Sequence, residues 1–173
     1  MYRSITLSGL VATGTTTAAI TLSKKYDLEF HYAGEFFRDY MKEHNIPLYD
    51  HSKVPDDLDR QIDNQLINLA ASEKGVLIDG RYIGYLTRDM NHVLRVLFVC
   101  DEKERLDRAL NRDGQKETAE EIIKREEEND AKFRKLYADE NFLDPKFFNL
   151  TVDTTYTTPK GVVSKISKEF EGI

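Results

Sequence analysis

The sequence predicts an α/β domain, with five parallel strands in one sheet and helices covering both faces. Two observations carry this. Short apolar runs of strand length alternate with longer segments of helical periodicity along all 173 residues. The first of these runs, Ile5-Thr6-Leu7, passes through a glycine loop directly into a helical segment, the kind of unit from which parallel sheets are built. No internal repeat, low-complexity stretch or linker divides the chain, so one domain spanning 1–173 is expected.

Taken in order, Arg3 to Leu7 reads as a short buried strand, and Thr16 to Lys25 as a helix with Ala19, Ile20 and Leu22 apolar. Leu28 to His31 is a second strand. Ala33 to His44 is helical, with Phe36, Phe37, Tyr40 and Met41 at helical spacing. Ile46 to Pro55 is a loop with two prolines. Asp56 to Ser72 is a helix whose inner face is Leu58, Ile62, Leu66, Leu69 and Ala70. Val76-Leu77-Ile78 is a third strand, ending at Asp79-Gly80-Arg81, and Val93 to Cys100 is the strongest strand pattern of all. Leu106, Ala109 and Leu110 mark the next helix, which Gly114 can stop. Thr118 and Glu121 have the spacing of a capping box for a helix over Ala119 to Tyr137. Leu150-Thr151-Val152 is the last strand and Pro159 to Phe170 the last helix. Between Ile123 and Phe133 the long helix reads KREEENDAK, with Ala131 its one apolar residue, so it is either a solvated surface helix or a lid that closes on charged ligands.

Composition narrows the function classes. Hydrophobic residues at 40% suffice for a core and exclude wholesale disorder. A net charge of −6 argues against a general nucleic-acid binder, which must neutralise phosphates. The one cysteine, Cys100, excludes an internal disulfide or a cysteine zinc site and reads as a small buried hydrophobe. No run approaches the ~18 apolar residues of a membrane span. Strand and loop begin at once, with no apolar leader. A cytoplasmic monomer without membrane or nucleic-acid partners is therefore expected.

The loop Gly9-Leu10-Val11-Ala12-Thr13-Gly14-Thr15-Thr16-Thr17 has the spacing of a phosphate-binding loop. The helix N-terminus and successive backbone amides form an anion nest whatever the side chains are. Thr16 holds the position whose hydroxyl ligates Mg²⁺, or it simply caps the helix. Thr15 stands where a lysine is expected, so positive charge must come from elsewhere. Arg105, Arg108 and Arg112 share one helical face, and Arg125 and Lys132 share another; a salt-bridged surface is the bland reading of both. Arg38 and Arg81 follow the carboxyl ends of strands, where ligands bind in such sheets. Asp79, closing a strand, is placed to hold a Mg²⁺ water. Asp59 and Asp63, one turn apart, are either a solvated face or contacts to a base or sugar. The four histidines show no ligand spacing.

These motifs and their order resemble the nucleoside monophosphate kinases, most closely the short archaeal-type cytidylate kinases. The matching segments are Gly-x4-Gly-Thr-Thr-Thr, Ala33-Gly34-Glu35-x-x-Arg38, Pro55-x-x-Leu58-Asp59-x-x-Ile62-Asp63-x-Gln65, Asp79-Gly80-Arg81-x-x-Gly84, Arg105-x-x-Arg108-x-x-x-Arg112-Asp113, Arg125-Glu126-Glu127 and Val152-Asp153-Thr154. The resemblance implies a P-loop NTPase fold, three layers α/β/α, with a monophosphate-binding segment at about 33–72 and a helical lid at about 105–137. It implies ATP and Mg²⁺ as cofactors and CMP or dCMP as acceptor. Gly9, Ala12, Thr13, Gly14, Thr15, Thr16 and Thr17 would bind ATP, with Thr16 and Asp79 toward the metal. Arg38, Gly80 and Arg81 would hold the acceptor phosphate, with Asp59 and Asp63 near its base. Arg108, Arg112, Arg125 and Lys132 would close on the transferring phosphoryl group. Lys132 stands where the family has an arginine, and Leu10-Val11-Ala12 where it has Pro and Gly. A catalytically silent nucleotide-binding module, or a kinase with another acceptor, is the competing expectation.

Overall fold

The computed structural model describes residues 1–114 and 116–173. Five strands, β1 (Ser4–Gly9), β2 (Glu29–Tyr32), β3 (Val76–Asp79), β4 (Val93–Val99) and β5 (Leu150–Asp153), form one sheet in the order β2-β3-β1-β4-β5. Every pairing is parallel. The helices are α1 (Thr15–Tyr26), α2 (Ala33–Glu43), α3 (Asp56–Ala71), α4 (Ile83–Leu86), α5 (Glu102–Leu110), α6 (Ala119–Leu136) and α7 (Pro159–Glu171). Most bounds fall within a residue or two of the sequence expectation. Short elements lacked a periodic signal and were not anticipated: α4 and the 3-10 turns at His51–Lys53 and Pro145–Phe147.

Strand alternation sets the two faces. Ile5, Leu7, Leu77, Leu94, Val96, Phe98 and Val152 point one way and pack with residues of α1 and α7. Val76, Ile78 and Val93 point the other way, toward Ile62, Leu66 and Ala70 of α3. On that second face β1 carries Ser4, Thr6 and Ser8, all without solvent exposure. The hydroxyls of Ser4 and Ser8 serve backbone groups, Ser4 Oγ accepting from the Val76 amide at 3.2 Å. Ser8 Oγ donates to the Gly80 carbonyl at 2.7 Å and accepts from the Gly84 amide at 3.2 Å, seating α4 on the sheet.

The long polar helix α6 docks by a route the sequence hides. Tyr82 and Tyr85, at and within α4, pack with Phe133 of α6 and with Phe142 and Phe147 beyond it. Ring centroids in this cluster lie 4.7–5.3 Å apart at steep angles. The start of α6 is fixed by the expected capping box between Thr118 and Glu121. Helix α5 ends at Leu110, before Gly114, which takes a left-handed φ of 74° in the turn that follows. No helix among the described residues is long and apolar enough to cross a membrane.

Candidate active site

The neighbours of β1 are β3 and β4, reached from opposite sides, so a crevice opens beyond its carboxyl end. The loop from Gly9 to Gly14 occupies that crevice. Gly9 is required there by close approach, since a Cβ would lie 2.5 Å from Thr13 Oγ1 and 2.9 Å from the Phe98 carbonyl oxygen. Gly14 caps α1 at φ 98°, a conformation that glycine adopts freely. Thr16 does not cap the helix. Its hydroxyl donates to Asp79 Oδ2 at 2.7 Å. Burial pushes the Asp79 carboxyl up, while that hydrogen bond and the charges of Arg38 and Arg81 hold it down.

One cavity runs from this loop across the carboxyl ends of β1 and β3. It is lined by Gly9, Ala12, Gly14, Thr15, Thr16 and Thr17 of the loop and the start of α1. Arg38, Asp79, Gly80, Arg81, Arg112 and Arg125 supply its charged lining. Phe37 and Met41 of α2, Leu48, and Leu66 of α3 give it an apolar recess, which Asp63 and His51 also line. Arg38 is held by Tyr32, whose hydroxyl accepts from the guanidinium and whose ring lies beneath it, 4.9 Å from centroid to guanidinium carbon. Arg125 is mostly buried. Burial and then the like charge of Arg81 pull its pKa down, opposed by Glu117. Asp63 is 5% exposed and accepts from the Tyr137 hydroxyl at 2.5 Å.

Four of the residues expected at the site do not line this cavity. Lys132 is buried beneath α3, with its ammonium 2.9 Å from Asp56 Oδ1 and 3.1 Å from Asp59 Oδ2, and it donates to the Val54 carbonyl at 2.5 Å. It thus fastens α6 to α3 rather than facing the cavity. Asp59 has no solvent exposure and also meets His51 Nε2 at 2.8 Å, so its carboxylate serves the same internal network. Arg108 donates to the carbonyls of Thr154 and Thr155 at 2.9 and 2.7 Å, bracing the end of β5. Thr13 is 2% exposed; its hydroxyl bonds the Leu10 carbonyl, and its own carbonyl accepts from Thr154. Helical spacing put Arg105, Arg108 and Arg112 on one face, but their partners differ. Arg105 turns to Glu126 at 2.8 and 3.0 Å, and of the three only Arg112 lines the cavity. Tyr32, His51, Tyr82 and Asn129 also line it, without any spacing in the sequence to mark them.

The bulky front of the loop has a local explanation. Ala12 is 8% exposed and packs with Ala109 of α5 and Ile122 of α6, flanked by Val11 and Leu106. The Val11 amide donates to Glu126 Oε1 at 3.0 Å. These residues clamp the loop to the bases of both helices.

Comparison with known proteins agrees with this geometry. A model of the cytidylate kinase-like family matches residues 50–156. The cytidylate kinase of Pyrococcus abyssi is 32% identical over 164 residues, covering 91% of this chain and 88% of its own. That of Methanococcus maripaludis strain S2 is 30% identical over 176 residues, covering 98% of each. Among solved structures, a gluconokinase from Sinorhizobium meliloti superposes with a TM-score of 0.67 at 14% identity, over 98% of this chain and 94% of its own, a likeness of fold. The sheet, the loop and these relatives together place the chain in the cytidylate kinase-like family, a phosphotransferase branch of the nucleoside monophosphate kinases.

Proposed function

We propose that the protein transfers the γ-phosphoryl group of ATP to CMP or dCMP, giving ADP and CDP or dCDP. One observation carries this reading. A backbone anion nest and a cluster of arginines face a common cavity, with an apolar recess beside the arginines. A site for one nucleotide needs a single phosphate-binding end; a site for transfer between two nucleotides needs two.

In this reading the amides from Gly14 to Thr17 cradle the donor phosphates at the start of α1. Arg38 and Arg81 hold the acceptor phosphate. Arg112 and Arg125 spread over the transferring group, where charge is shared among many oxygens and positioning does most of the catalysis. The acceptor oxygen is already anionic, so no general base is required. Thr16 and Asp79 fit Mg²⁺, which takes few protein oxygens and completes its shell with water and phosphate. The ion would offset the charge of the β- and γ-phosphates. The recess takes the base, with Asp63 at its edge. The α5–α6 pair and the turn between them act as a lid that excludes water. Part of that turn, Gln115, lies outside the described residues.

Thr15 in place of lysine favours a second reading, a module that binds nucleotide without turning it over. A coupled ADP-release assay with CMP, dCMP, UMP and AMP separates the two. Turnover is expected fastest with CMP or dCMP, and Arg81→Ala should lower kcat/KM about 10²- to 10³-fold with the fold intact. ATP-dependent thermal stabilisation without turnover of any monophosphate would overturn the kinase reading. Activity confined to AMP would overturn the choice of base.

A further inference from the structure

Three guanidiniums, Arg38, Arg81 and Arg125, share the wall of one cavity although they come from α2, the end of β3 and α6. Like charges gathered this way repel, and each side chain needs something to aim it. Tyr32 aims Arg38. For Arg125 the partner is Glu117, whose Oε2 lies 3.2 Å from Nη2. Both side chains are largely shielded, at 12% and 13% exposure. Glu117 itself does not line the cavity, yet the charges of Arg125, Arg38 and Arg81 all reach it. It immediately precedes Thr118, the cap of α6, and the capping box fixes its place relative to Arg125 two turns along.

We propose that Glu117 is a positioning residue, which orients the Arg125 guanidinium into the cavity. The inference rests on the transfer reading above, in which Arg125 acts on the moving phosphoryl group. A carboxylate held near a guanidinium restricts its rotamers and leaves its remaining N–H groups aimed elsewhere. Burial raises the Glu117 carboxyl, Arg125 lowers it, Glu121 raises it, and Arg38 and Arg81 lower it. The pair therefore sits within the arginine cluster rather than on an isolated patch of surface.

The test is a double-mutant cycle on the full chain with Glu117→Gln and Arg125→Ala. Alone, Glu117→Gln should lower kcat about tenfold, the scale of one hydrogen bond to a charged group, with KM for CMP moving less. In the Arg125→Ala background the same change should cost less than about twofold. Glu117→Asp, which keeps the charge, should recover part of the rate. The cycle is read in parallel as calorimetric affinity for ATP, whose γ-phosphoryl group Arg125 meets in this reading, and which needs no turnover. Equal losses from Glu117→Gln in both backgrounds, or no loss in either, would overturn the proposal. If the unsubstituted enzyme turns over no monophosphate, the transfer reading fails by itself, and the affinity cycle still decides whether Glu117 acts through Arg125.

Discussion

Asp63 offers the sharpest physical test of the site. Its carboxyl is 5% exposed, on the inner face of α3. Burial pushes its pKa from 3.8 to about 7, with the Tyr137 hydrogen bond opposing and the charge of Asp59 adding. At about 1.4 kcal/mol per unit, a displacement of about three units is worth about 4 kcal/mol when the group must ionise in the folded protein. The sign follows from proton counting. Between the two pKa values the folded protein holds a proton that the unfolded chain has released. Stability from this group is therefore fully present below pH 3.8, falls as pH rises from there toward 7 and stays low above it. Asp63→Asn is neutral at every pH and keeps an oxygen to accept from Tyr137. It should be more stable than the unsubstituted protein by about 2–4 kcal/mol at pH 8, and the gap should shrink by about half as pH falls to 5, closing only below pH 3.8. Urea unfolding at half-unit steps from pH 5 to 8.5 measures this directly. A difference that stays constant across that range would refute the assignment of a raised pKa to Asp63. The same substitution is expected to raise KM for CMP, because the carboxyl edges the recess that would hold the base. A group that costs stability where it stands fits a functional role better than a structural one.

Two further substitutions test the packing that positions the site. Lys132→Met leaves the fully buried Asp59 without its ammonium partner and should cost about 3–5 kcal/mol in urea unfolding, while kcat of the folded fraction changes little. A large kcat loss at unchanged stability would instead return Lys132 to the active site. Ala12 holds a left-handed φ of 63° with its methyl group packed between α5 and α6. Ala12→Val should lose about 2–3 kcal/mol, because a β-branched side chain resists that backbone region. Ala12→Gly should stay within about 1 kcal/mol, since relief of strain and loss of one methyl contact offset each other. Equal effects of valine and glycine, read from denaturation midpoints, would mean that backbone strain at this position is unimportant.

Strand order and helix positions were legible because alternation and 3.6-residue periodicity are local signals. The loop, Arg38, Gly80, Arg81 and Asp79 were legible for a related reason, since each follows a strand end and topology brings strand ends together. Partner choice was not legible. Spacing placed Arg105, Arg108 and Arg112 on one helical face, but only folding decides that Glu126 claims the first and the carbonyls of Thr154 and Thr155 the second. Helix α6 reads as polar all round because two of its buried positions are Asn129 and Lys132. Each is satisfied by a specific partner. The Asn129 side-chain amide donates to the Arg125 carbonyl at 2.5 Å, and Lys132 meets Asp56 and Asp59. The aromatic cluster that docks this helix draws on Tyr82, Tyr85, Phe133, Phe142 and Phe147, too far apart in sequence to form a pattern. His51 enters the site through a non-periodic 3-10 turn, packed 5.0 Å from Phe37 and bonded to Asp59.

The loop itself ties these threads together. Its lysine position is Thr15, and the permanent cations lining the cavity, among the described residues, are Arg38, Arg81, Arg112 and Arg125. A loop lysine brings its charge with the loop, whatever the surrounding helices do. Arginines on neighbouring elements must be placed relative to the loop by packing, and an error of about 1 Å in such placement is enough to cost catalysis about 100-fold. The residues that depart from a glycine-rich loop supply that registration. Ala12 packs with Ala109 and Ile122, and the Val11 amide is bonded to Glu126, which Arg105 of α5 grips with two hydrogen bonds. These contacts lock the loop to the two helices that flank the turn carrying Arg112 and leading to Arg125. The exchange of lysine for threonine and the exchange of glycine for bulkier residues are then parts of one arrangement. The charge has moved off the loop, and the loop has gained the contacts that hold it in register with the charge.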